Sequence, residues 1–117
     1  MSKKNIESFI AKAITILQSE FKNGEIPSAY NGYISSFGAS VIQSGLKATI
    51  ALFENKNAST KEDKNYLLKL IAKVLEIKEK NLMTYVLEND NNITKQQILD
   101  AAVALKLSIR TFQLKKD

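Results

Sequence analysis

Lys69 and Lys73, and again Lys106 and Arg110, stand four residues apart. On a helix each pair climbs about 6 Å, close to the spacing of successive phosphates along an extended nucleic-acid strand. Such pairs can neutralise a polyanion's backbone without reading its bases. Any one Lys is more often a solubilising surface group, so clustering in three dimensions is what gives these cations a role. The whole chain leans the same way: 17 Lys and Arg against 12 Asp and Glu give a net charge of +5, and counterion release then favours polyanionic partners.

The chemistry available for catalysis is thin. The chain has no His and no Cys, which removes the usual general bases, thiol nucleophiles and zinc ligands. Glu76 and Glu79 are close in sequence, but Lys73, Lys78 and Lys80 flank them, as on a solvated, ion-paired surface. Asp90-Asn91-Asn92-Ile93-Thr94 begins like a calcium loop, yet Lys95 stands where the turn glycine belongs and Ala101 where the bidentate Glu belongs. Gly38 and Gly45 lie in apolar context with no Gly-Lys-Ser/Thr after them, so there is no phosphate loop. The expectation is a binding protein, not an enzyme, with no cofactor and no metal.

These side chains must be carried by helices. One Pro and four Gly in 117 residues leave few places for tight turns, and the length suits one domain with a core of its own. Ile6, Phe9, Ile10, Ala13, Ile14, Leu17 and Phe21 recur at helical spacing, and Asn23-Gly24 ends that first helix. Pro27 suits the start of the next. Residues 28–54 read as two helices, around 28–36 and 39–54, split near Gly38, with Gly45 marking a close neighbouring backbone.

Asn55-Lys56-Asn57-Ala58 reads as a loop, and Ser59-x-x-Glu62 or Thr60-x-x-Asp63 as a capping box for a helix carrying Leu67, Leu70, Ile71, Val74 and Leu75. Its other stripe holds Lys69, Lys73, Glu76 and Lys80. A short helix covers Asn81 to Glu88, a loop covers Asn89 to Asn92, and Thr94-x-x-Gln97 caps a final helix to about Leu114. That helix has two apolar stripes, one of Ile98, Ala101, Ala102, Leu105, Ile109 and Phe112, the other of Leu99, Val103, Leu107 and Leu114. A central helix packed on several sides explains both. The fold class expected is all-α, a compact bundle of about five to six helices in a single domain over 1–117. With no apolar run near the ~20 residues that span a bilayer and no signal-peptide core, a cytoplasmic protein is expected, with no membrane partner.

Two segments carry a resemblance. Tyr30-Asn31-Gly32-Tyr33 runs through an apolar stretch into Gly45-Leu46, followed by a small-apolar run ending in Phe53. Ala102-Val103-Ala104-Leu105 leads through Ile109 and Arg110-Thr111 to Phe112. Together they resemble the small-subunit protein of the type III-B CRISPR effector, the Cmr complex. Ser108 stands where the family has Trp, and the family's basic pair is Arg110-Thr111 here. The C-terminal segment also has the spacing of a DNA-binding helix-turn-helix, with Lys106 at the turn position usually held by Gly. That is the alternative reading; it gives no reason for Tyr30 to Phe53.

The resemblance implies a helical subunit without nuclease activity, present in several copies as the complex's inner filament beside the guide–target RNA duplex. Its implied partners are CRISPR RNA and target RNA, the repeating backbone subunit, the large subunit and copies of itself. On that basis Lys47 and Arg110 are the first candidates for an RNA face, followed by Lys106, Lys69 and Lys73, while Gly45 and Leu46 shape helix packing.

Overall fold

The computed structural model describes residues 3–55 and 62–116. The first amphipathic pattern folds as α1 (Lys3–Glu20), with Ala13 and Leu17 fully buried on its inner face. The chain then turns through Asn23 and Gly24, whose φ of 78° is the left-handed conformation that favours glycine. Glu25–Pro27 forms a short strand, β1, that delivers Pro27 to the N-cap position of α2 (Ser28–Ser44).

The long apolar segment breaks at Gly45, not near Gly38. α2 runs unbroken through Gly38 to Ser44, and α3 spans Leu46–Phe53. Gly45 adopts φ 93°, ψ 162°, a region essentially closed to residues with a Cβ. A Cβ built there would meet nothing within 4 Å, so backbone conformation, and not a close neighbour, calls for glycine. Across the break, the Thr49 hydroxyl lies 2.7 Å from Ser40 Oγ and donates to Gly45 O at 2.9 Å, fixing the angle between the two helices. Phe37 of α2 meets Phe53 of α3 edge-on, 5.4 Å between ring centroids.

α4 (Lys64–Val74) is capped by Asp63, whose carboxylate accepts from Asn65 N. Lys56 to Ala58 and the expected caps at Ser59 and Thr60 lie outside the described residues. α4 stops at Val74, so the stripe expected to run on to Lys80 is cut short. Ile77 N donates to Ala72 O and Glu76 N to Lys73 O, the paired bonds of a Schellman close, with Glu76 itself left-handed at φ 56°. α5 (Leu82–Glu88) and α6 (Asn92–Ile109) each begin on an Asn cap, Asn81 accepting from Thr84 N and Asn91 from Thr94 N. Thr94 is therefore inside the first turn of α6 and buried, and does not cap it.

α6 is the central element: α1 packs along it most extensively, then α2, with α4 behind. Ile98, Ala101, Leu105 and Ile109 are fully buried. The helix ends five residues before Leu114. Thr111 N and Phe112 N bond back to Ser108 O and Ile109 O, and Gln113–Lys115 forms β2, parallel to β1 with Ile26 opposite Leu114. This two-stranded ribbon places the start of α2 beside the end of α6, and because the two helices also pack side by side they run antiparallel. The fold is all-α apart from that ribbon, with six helices among the described residues. None of them is long and apolar enough to cross a membrane.

Candidate functional site

The five candidate cations sit on three helices. Lys47 is in the first turn of α3; Lys69 and Lys73 are on α4; Lys106 and Arg110 are on the last turn of α6 and at its C-cap. Lys69 and Lys73 are both on a helix as expected, whereas α6 ends at Ile109 and leaves Arg110 just beyond it, still in right-handed helical conformation. Lys47, Lys69, Lys73 and Lys106 do not share a depression: they line four different ones, beside Asp90, Glu79, Glu76 and Ile42 respectively.

Pairing separates the cations further. Lys47 Nζ lies 2.6 Å from Asp90 Oδ2, and Lys73 Nζ 3.1 Å from Glu20 Oε2. Among the described residues no carboxylate pairs with Lys69, Lys106 or Arg110. Exposed pairs of this kind contribute at most about 1 kcal/mol, so Lys47 can exchange its partner for a phosphate at small cost. Lys73 is held more firmly, because Glu20 also accepts the Tyr66 hydroxyl, tying α1 to α4. The hydrogen bonds from Tyr66 and Lys73 hold the Glu20 carboxyl below the usual carboxylate range, against the opposing effect of its partial burial.

Lys95 was not among the sequence candidates. It lines the depression that holds Lys47, together with Gly45 and Asn91. It also falls on the same face of α6 as Lys106 and Arg110, eleven and fifteen residues on, and that spacing was the signal available in the sequence.

The tyrosines form structure, not a reaction centre. Tyr30, Tyr33, Tyr66 and Phe21 stack edge-on or tilted, with centroids about 6 Å apart. Burial, with the charges of Glu62 and Asp63 added, pushes the Tyr30 phenol up to about 12. Burial and the Glu20 hydrogen bond push Tyr66 upward too. Both are therefore neutral at physiological pH. Lys64 Nζ sits 5.3 Å from the ring centres of both Tyr33 and Phe53, a cation against two aromatic faces. Among the described residues no group of three or more His, Cys, Asp or Glu could hold a metal ion.

The helix-turn-helix alternative requires a turn at Lys106. α6 passes through that position without interruption and is followed by β2, not by a recognition helix. Ser108, where the resembled family has Trp, is fully buried in the core.

No curated protein and no solved structure matches the chain. A model of the family described as CRISPR-associated protein (Cas_Cmr5) matches residues 3–110, a span that contains all six helices and every candidate cation. The chain therefore belongs to the CRISPR-associated Cas_Cmr5 family, the Cmr small-subunit family that its Tyr30 to Phe53 segment and C-terminal helix resemble.

Proposed function

We propose that the chain is a non-catalytic small subunit of a type III-B effector complex in antiviral defence, stacking in several copies as an inner filament and contacting the guide–target RNA duplex. Family membership over residues 3–110 carries this reading. The cation placement supports its RNA-facing half: Arg110 is exposed at the C-cap of α6 and has no carboxylate partner among the described residues, and Lys69 is likewise exposed on α4. Contacts of this kind act on phosphates and leave sequence to base pairing. The partners are CRISPR RNA and target RNA, the backbone and large subunits, and further copies of the chain, in the cytoplasm.

A reconstituted effector complex is the test. Arg110→Ala and Lys47→Ala subunits are assembled with the other proteins and guide RNA, and target-RNA affinity is titrated at physiological salt. The reading expects weaker binding with a shallower salt dependence. Affinity and salt slope identical to wild type in the double variant would remove the RNA face. Incubating the isolated chain with RNA, with and without divalent cations, tests the absence of nuclease activity; cleavage that tracks the protein through purification would overturn it.

A further inference from the structure

Gly38 lies in the middle of α2, where glycine costs about 1 kcal/mol relative to Ala. Nothing among the described residues asks for it. Its φ is not left-handed, and an added Cβ would meet no atom within 4 Å. What Gly38 does is floor an open groove of about 340 Å³ between the antiparallel α2 and α6, together with Ala39 and walled by Ile42, Leu99 and Val103. Ile42 is 78% exposed, the most exposed large apolar side chain among the described residues. A mid-helix glycine under empty space, beside aliphatic walls, fits a groove shaped for the close approach of another backbone.

The chemistry of the rim narrows the occupant. Lys106 is the one charged side chain lining the groove among the described residues, and no carboxylate lines it. Lys95 and Arg110 extend the same face of α6 beyond its two ends. Among the described residues no aromatic side chain lines the groove, so bases have no stacking platform there. Two copies docking groove to groove would add a second Lys106 and, among the described lining residues, no carboxylate to meet it.

We propose that this groove receives an amphipathic helix from a different protein subunit of the same complex. That helix lays small or aliphatic anchors at i, i+3 or i+4, and i+7 over Gly38 and between Ile42, Leu99 and Val103, and sets a carboxylate against Lys106. The proposal rests on the reading of the chain as a complex subunit. It assigns Lys106 to a protein contact and leaves Arg110 for RNA.

The test compares two glycines of one helix. Gly32 is also in α2 and also has open space at its Cβ, but it does not line the groove. Wild type, Gly32→Ala, Gly38→Leu and Ile42→Glu are each mixed with the purified backbone and large subunits without RNA. Incorporation is read by size-exclusion chromatography and titration, and folding by circular dichroism and thermal melting. Wild type and Gly32→Ala incorporate equally, whereas Gly38→Leu and Ile42→Glu, both native by circular dichroism, lose at least tenfold in affinity. Should Gly38→Leu misfold, Ile42→Glu stands alone, since its side chain is already in solvent. Groove variants that incorporate like wild type overturn the proposal and leave subunit membership standing. A defect seen only after guide RNA is added assigns the groove to RNA, and one matched by lost self-association of the free chain assigns it to a second copy; either overturns the proposal. Failure of wild type itself to bind any subunit removes both the proposal and the reading beneath it.

Discussion

Glu20 and Tyr66, far apart in sequence on α1 and α4, share a hydrogen bond in which the phenol donates to the carboxylate, and Lys73 completes the contact from 3.1 Å on the other oxygen. The three side chains clasp the C-terminal end of α1 onto α4. Tyr66→Phe keeps the ring packing and removes the hydroxyl. A stability loss of roughly 1 kcal/mol is expected, reduced from the full value of a charge-assisted bond by the partial exposure of Glu20. Urea unfolding of the two proteins at neutral pH measures it.

The same contact sets an acid limb. Glu20 has its folded pKa depressed, so its contribution is present above the unfolded carboxylate value of about 4.3 and is lost as pH falls through the lower folded value. Wild type is expected to lose stability below about pH 4 more steeply than Glu20→Gln, whose side chain does not titrate. Parallel acid limbs for the two proteins would show that the carboxylate gains nothing from Tyr66 and Lys73.

At the other end of the scale the signs reverse. Tyr30 and Tyr66 have raised folded values, Tyr30 to about 12, so the stability from their neutral phenols is complete below about pH 10 and fades as pH rises through the folded values. Ultraviolet titration of tyrosinate should show Tyr30 and Tyr66 ionising late, coupled to alkaline unfolding. Tyr30 and Tyr66 ionising near 10 in the folded protein would contradict the burial of this cluster.

Gly45 stands at φ 93° and ψ 162° with free space around it. Gly45→Ala is therefore a test of backbone conformation without a steric clash. A destabilisation of about 1–3 kcal/mol is expected, readable by thermal melting, whereas Gly38→Ala, in regular helix with equally free space, should be stabilising by up to about 1 kcal/mol.

Ser108 is fully buried and its hydroxyl has no hydrogen-bond partner among the described residues. Removing an unsatisfied buried hydroxyl while leaving the Cβ in place relieves its desolvation penalty. Ser108→Ala should raise stability by about 1 kcal/mol. A loss of similar size in denaturant unfolding would mean that the hydroxyl is bonded in solution.

The sequence by itself determined the class of the protein and most of its core. Helical spacing of Ala13, Leu17, Leu67, Ile71, Val74, Ile98 and Leu105 put the right residues inside, because a 3.6-residue period with few glycines and one proline leaves the backbone little alternative. Missing His and Cys limited the chemistry, and two motifs pointed to the family. What local pattern could not decide was anything set by residues distant in the chain. Gly38 and Gly45 cost a helix the same by propensity; α3 must turn to bury Leu46, Ile50 and Phe53 against its neighbours, and that placed the break at Gly45. Leu114 reads as helix until Ile26 is beside it to pair with. Lys47 and Lys73 look as free as Lys69 and Arg110 until Asp90 arrives from the α5–α6 connection and Glu20 from α1. Of the second apolar stripe, Leu99 and Val103 line the groove, Leu107 is exposed and Leu114 leaves the helix for β2, since only packing against α2 shows which apolar surface is covered and which stays open.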